Sequence, residues 1–176
     1  MTRLKMIMVG DHGSGKTSLV HRYIHKRFSD FYKTTIGVDI TSKSVQVPGV
    51  GETEVQVWDL SGQETFAKVR TQFYQGASAA ILVFDLTRLP TFESIPNWIS
   101  EIKKDIGKIP MALVGNKSDL ASQRGIAAKE LRQLAEAHDI QAFETSAKTG
   151  EKVDKAFTQL VGQAIEAQEK ESAFWN

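Results

Sequence analysis

The 176-residue chain contains no cysteine. That excludes a disulfide scaffold, a thiol nucleophile and a thiolate metal site. An excess of one charge is missing too. Lys and Arg number 22 against 21 Asp and Glu, a formal net charge of +1 at pH 7. With no large basic block, nothing points to nucleic acid or an anionic membrane as a partner. No apolar run approaches the roughly 20 residues a bilayer span needs, and no signal-peptide pattern opens the chain. Repeats, linkers and low-complexity tracts are absent. What is present is 41% apolar and 24% charged residues, the balance of a globular protein. The length suits one domain with its own core. The expectation is a monomeric cytoplasmic protein, with a single domain over residues 1–170 and a tail at 171–176.

The stretch Gly10-Asp11-His12-Gly13-Ser14-Gly15-Lys16-Thr17 follows an apolar run and leads into a helical pattern that starts with Ser18-Leu19-Val20. Gly-x4-Gly-Lys-Thr between a strand and a helix is a phosphate-binding P-loop. Glycines let the backbone curl so that successive N–H groups point at phosphate oxygens. The following helix adds the positive end of its dipole. Lys16 can reach the β- and γ-phosphates, and the Thr17 hydroxyl is placed to ligate Mg²⁺. A Gly-rich turn arising by chance is the competing explanation, and the strand-before, helix-after context argues against it.

Apolar runs at 4–9, 79–84, 111–114 and 141–143 read as strands buried on both faces. Helical patterns fall near 16–26, 65–74, 92–106, 127–138 and 152–168. Residues 40–47 and 54–58 alternate apolar and polar positions around the turn-rich Pro48-Gly49-Val50-Gly51, which reads as an antiparallel hairpin. The expected fold is a three-layer α/β domain with one antiparallel edge, whose ligand lies at the carboxyl ends of the strands. Pro96 conflicts with a helix over 92–106. Either the helix starts late, with Ser94 near its cap, or it kinks.

Trp58-Asp59-Leu60-Ser61-Gly62-Gln63-Glu64 ends the second hairpin strand. Asp59 suits a water-mediated Mg²⁺ contact, Gly62 can offer a backbone N–H to a γ-phosphate, and Gln63 can orient an attacking water. Taken alone, Asp-x-x-Gly is a common turn pattern. Asn116-Lys117-Ser118-Asp119 follows a buried strand. An Asp there can accept two hydrogen bonds from N1 and the exocyclic amine of guanine, a donor pair adenine lacks. The Lys117 stem can cover the base, and the Ala147 N–H can meet the guanine carbonyl. A polar turn after a strand explains the Asn116 motif equally well by itself.

Together these motifs resemble the Ras superfamily of small GTPases, from Arg3 to about Ala167. The motifs appear in order: residues 10–17, Thr35, Asp59-Leu60-Ser61-Gly62-Gln63, Asn116-Lys117-Ser118-Asp119 and Ser146-Ala147-Lys148. Within the superfamily the chain is most similar to the Rab branch, through Tyr32-Lys33-Thr34-Thr35-Ile36-Gly37-Val38-Asp39, Trp58-Asp59 with Gly62-Gln63-Glu64, and Phe73-Tyr74-Gln75-Gly76-Ala77. The resemblance implies a six-stranded mixed sheet with about five helices on both faces. It implies GTP/GDP and Mg²⁺ as cofactors, held by Gly13, Ser14, Gly15, Lys16, Thr17, Ser18, Phe28, Thr35, Gly62, Asn116, Lys117, Asp119, Ser146, Ala147 and Lys148. Metal ligation falls to Thr17, Thr35 and Asp59, and catalysis to Gln63, Lys16 and Gly62. Effectors, an exchange factor and an activating protein would dock on switch I (27–39) and switch II (60–76), which loosen on hydrolysis. This chain carries no prenylation cysteine. It is either a piece of a longer protein or not a lipid-anchored Rab, and the expectation is a cytoplasmic protein or one peripheral at membranes through partners.

Three positions depart from the pattern. His12 replaces a small residue and should crowd Gln63, slowing hydrolysis. Leu60 and Ser61 replace Thr-Ala. The aromatic triad that reports nucleotide state falls on Ile40, Trp58 and Phe73, with Ile40 in place of phenylalanine. The competing functions are a nucleotide-locked pseudo-GTPase acting as a binding module, and a P-loop enzyme that uses ATP.

Overall fold

A computed structural model describes residues 2–175. Its sheet is ordered β2-β3-β1-β4-β5-β6, from β1 (Thr2–Val9), β2 (Val38–Val47), β3 (Gly51–Leu60), β4 (Ala79–Asp85), β5 (Met111–Asn116) and β6 (Gln141–Glu144). Among the described residues only β2 runs antiparallel to its neighbour, with Val47 opposite Gly51 at the turn and Val38 opposite Leu60. The remaining pairs, β1 with β3, β1 with β4, β4 with β5 and β5 with β6, are parallel.

The central strands read as unbroken apolar runs because both their faces are covered. Met6, Met8, Ile81 and Val83 face one core with Tyr23, Phe157, Leu160 and Val161. Ile7, Val9, Leu82 and Phe84 face the other, with Ile95, Ile99, Ile102 and Leu131. On the first side lie α1 (Lys16–His25) and α6 (Val153–Phe174), joined by the stacked rings of Tyr23 and Phe157, 4.0 Å apart. On the second lie α4 (Ile95–Ile106) and α5 (Ala128–His138). This is the three-layer arrangement that the strand–helix alternation implies.

Three elements differ in detail from the sequence reading. The Pro96 region is two helices, α3 (Leu89–Glu93) and α4, meeting at Ser94. Pro96 falls in the first turn of α4, where its missing N–H costs no helical bond. Ser94 is not a conventional cap, because its backbone is helical and its hydroxyl turns instead to Asp11 Oδ2 at 2.8 Å. Residues 65–74, read as one helix, form a 3₁₀ turn (Glu64–Phe66), a single α turn that is α2 (Ala67–Arg70) and a second 3₁₀ turn (Thr71–Tyr74). Phe66 and Phe73 are half-buried and Val69 is exposed, while Arg70 and Tyr74 turn inward, so no continuous apolar stripe docks the segment as a regular helix. The last helix runs to Phe174 rather than 168.

Candidate functional site

The P-loop joins β1 to α1 at the carboxyl end of the sheet. Gly15 opens α1 in the left-handed region, φ 98°. A Cβ there would lie 2.2 Å from the Asn116 amide, so only glycine lets the two loops meet. Gly62 is equally constrained, for its Cβ would lie 2.2 Å from the Gly10 carbonyl oxygen and 2.6 Å from the His12 nitrogen. The turn at Gly62 therefore rests directly on P-loop backbone.

Between these loops lies a cleft of about 460 Å³. Its walls bring together Gly13, Gly15, Lys16, Thr17, Ser18, Phe28, Thr35, Gly62, Asn116, Lys117, Asp119, Ala147 and Lys148, with His12 and Ser61 beside them. Ser14, Asp59 and Ser146 are buried just behind the wall. The Gln63 side chain is not part of the cleft lining. Its backbone is engaged instead: the N–H donates to Ser61 Oγ at 3.3 Å and the carbonyl accepts from Phe66 at 3.0 Å.

At the phosphate end, the Lys16 ammonium donates to the carbonyls of Gly10 at 2.8 Å and Asp11 at 3.1 Å. Burial lowers its pKa to about 8, against the pull of the Asp59 and Asp11 charges. A phosphate in front of it would favour the charged form further.

Thr17 and Thr35 place their hydroxyl oxygens 2.7 Å apart, and both donate to Asp59 Oδ2. Asp59 Oδ1 is buried and has no hydrogen-bond partner among the described residues. Burial pushes the Asp59 carboxyl above its ordinary range, although the Thr17 hydroxyl and Lys16 charge oppose the shift. A carboxylate that takes both hydroxyls on Oδ2 while Oδ1 stays unpartnered makes with them an all-oxygen donor set, suited to a hard cation such as Mg²⁺. The residues present fit that ion.

At the opposite end, Asn116 is buried and bridges three loops. Its amide donates to the Ser14 carbonyl at 3.2 Å, and its Oδ1 accepts from Thr145 Oγ1 at 3.2 Å and the Ala147 N–H at 3.3 Å. The Ser146 hydroxyl donates to Asp119 Oδ1 at 2.7 Å, fixing that carboxylate on the cleft wall. Lys117 reaches back to the Gly13 carbonyl at 3.1 Å and pairs with Asp85 at 2.7 Å. Burial alone would push Asp85 up, but bonds from Lys117 and Thr87 outweigh it and hold the carboxyl below its usual range. Phe28 meets Tyr32 edge-on, ring centres 6.3 Å apart.

The family model described as Ras family matches residues 5–166. The chain belongs to the Ras family. Among relatives of this Ras-family chain, the Ras-related protein Rab-13 of Rattus norvegicus is 40% identical over 157 residues, covering 89% of this chain and 77% of that protein. The Ras-related protein Rab-19 of Xenopus laevis is 42% identical over 163 residues, 92% of this chain and 76% of that one. The Ypt/Rab-type GTPase YPT7 of Saccharomyces cerevisiae is 39% identical over 170 residues, 93% of this chain and 82% of that one. The Rab likeness read from the motifs thus holds over most of the chain.

Several residues that shape the site were not singled out from the sequence. Arg22, on α1, donates to the carbonyls of Ala147 at 2.7 Å and Lys148 at 2.5 Å. Trp98, on α4, donates its indole N–H to Asp11 Oδ1 at 2.9 Å. Arg88 donates to the His12 carbonyl at 3.3 Å. Asp11 was visible as a charged P-loop position, but its partners lie more than 80 residues away in the chain.

Proposed function

We propose that this chain is a Rab-like guanine-nucleotide switch that binds GTP and GDP with Mg²⁺, hydrolyses GTP slowly to GDP and phosphate, and acts in membrane traffic or related signalling. The observation that carries the reading is that one cleft joins two recognition ends. Thr17, Thr35 and the orphaned Asp59 oxygen lie at one end, and Asp119 with its Ser146 brace at the other.

In this reading Thr17, Thr35 and Asp59 hold Mg²⁺ (Asp59 through water), and the ion neutralises charge on the phosphate oxygens during transfer. P-loop amides at 13–18 and Lys16 bind the β- and γ-phosphates. Asp119 accepts from guanine N1 and its exocyclic amine, Ala147 offers an N–H to the guanine carbonyl, and Phe28 and Lys117 cover the base. The Ala147 N–H now donates to Asn116 over a long 3.3 Å, so it exchanges that bond for the base. The Gly62 N–H reads the γ-phosphate, and Gln63 turns inward to orient the attacking water.

No arginine is among the described residues lining the cleft. An arginine from an activating protein is worth ~10³–10⁵ in rate for this chemistry, so unassisted turnover is slow. Partners dock on the switches, where Phe31, Ile36 and Val69 are exposed, and on the exposed Ile40 just past switch I, which pairs across the sheet with Trp58; the rings of Trp58 and Phe73 lie 6.2 Å apart. Exposed apolar side chains grouped on loops that feel the nucleotide are suited to effectors, an exchange factor and an activating protein. The protein acts as a cytoplasmic monomer, peripheral at membranes through such partners. Among the described residues no helix is long and apolar enough to cross a membrane.

Phosphate release from GTP-loaded protein tests the reading. The wild type should release phosphate slowly, and Gln63→Leu should abolish release while leaving GTP binding intact. No release from the wild type would count against hydrolysis.

A further inference from the structure

Arg70 is 4% exposed, a full positive charge inside switch II. A buried charge is tolerated only when its hydrogen bonds are met. Here they are met by the loop that carries the reading of the γ-phosphate. Nη1 donates to the Ser61 carbonyl at 3.2 Å and the Gln63 carbonyl at 3.4 Å. Nε and Nη2 form a fork on Glu101, at 3.2 Å and 3.4 Å. The guanidinium plane lies 4.2 Å from the centre of the Trp98 ring, and Trp98 in turn holds Asp11 of the P-loop. Tyr74 donates to Glu101. Burial and that carboxylate push the phenol well above its ordinary range, so it stays a donor.

A peptide group is planar and trans, so its C=O and N–H point opposite ways. Pinning the Ser61 carbonyl toward Arg70 turns the Gly62 N–H away from Arg70. Pinning the Gln63 carbonyl limits the direction in which the Gln63 side chain leaves the backbone. We propose that Arg70 is the positioning residue of the hydrolytic turn: anchored on Glu101 and Trp98, it presets the Gly62 N–H and Gln63 through two backbone carbonyls and ties their placement to the P-loop through Asp11. This rests on the GTPase reading above. Arg70 touches neither nucleotide nor water itself.

The test uses the full chain as wild type, Arg70→Met, Arg70→Lys and Glu101→Gln. Four quantities are read: single-turnover hydrolysis, the affinities for GDP and for a non-hydrolysable GTP analogue, and amide hydrogen exchange over residues 60–66. Arg70→Met should slow hydrolysis about tenfold, less than the ~10²–10³ lost when one preorganised donor is removed outright. It should weaken the GTP analogue against GDP, because only the former meets the Gly62 N–H, and raise exchange over 60–66 while the P-loop stays protected. Arg70→Lys, able to keep some carbonyl bonds, should fall between. A role confined to stability would lower both affinities in parallel and leave their ratio unchanged, and that result overturns the proposal. So does unchanged exchange over 60–66. If Arg70→Met does not fold, Glu101→Gln must shift the affinity ratio and exchange in the same directions, or the proposal fails. Absent hydrolysis in the wild type would remove the GTPase reading, while the affinity ratio and exchange still decide the role of Arg70.

Discussion

The Asn116 side-chain amide donates to the Ser14 carbonyl at 3.2 Å, so the residue that opens the 116–119 turn also holds the middle of the loop before α1. The two ends of the cleft are therefore one mechanical unit. Arg22 continues it, spanning from α1 to the carbonyls of Ala147 and Lys148. Replacing Arg22 with Met removes both bonds from a charged donor, each worth about 1.5–3 kcal/mol in favourable cases. The expected outcome is GDP release faster by roughly tenfold, read as the dissociation rate of a fluorescent GDP analogue. An unchanged rate would separate Arg22 from the site.

Asp59 is costly to the empty fold. Its carboxyl is buried, its Oδ1 has no partner among the described residues, and burial pushes its pKa up. Asp59→Asn should therefore stabilise the nucleotide- and metal-free protein, by about 1–3 kcal/mol on the scale of a buried unsatisfied charged group. The same change should abolish the dependence of GDP affinity on Mg²⁺. Thermal unfolding without ligand and titration with and without the metal check the two halves. Loss of stability in the empty protein would contradict this account of the site.

His12 lines the cleft, and its backbone lies against Gly62. Under the proposed mechanism, an imidazole at that point would compete for the space into which Gln63 and an incoming arginine must move. His12→Gly should raise single-turnover hydrolysis, with GTP affinity kept. A rate no faster than the parent's would show that His12 does not obstruct the reaction.

The parts of this site that the sequence made legible are those where local chemistry leaves few choices. Gly15 must accept φ 98° and tolerate the Asn116 amide, and Lys16 and Thr17 follow it at fixed spacing, so the P-loop is readable from eight residues. Strands β1, β4 and β5 were readable because burial on both faces demands continuous apolar runs. The braces were not. Arg70, Trp98 and Arg22 act across long sequence separations, and nothing local distinguishes an arginine turned inward from one in solvent. The last helix was read short because its apolar stripe ends at Ile165. Ala167, Gln168, Glu169, Lys170 and Glu171 continue it as good helix formers with no breaker among them.

The central claim is that Asp119 and the P-loop hold a guanine nucleotide with Mg²⁺ at its two ends. Calorimetric titration of the nucleotide-free chain with GDP and with ADP, each in the presence of Mg²⁺, tests it most directly. The account predicts GDP bound more tightly than ADP by on the order of 10⁴-fold, the discrimination reached when a site built for hydrogen-bond donors meets a ligand lacking them. Equal affinity for the two nucleotides would contradict it.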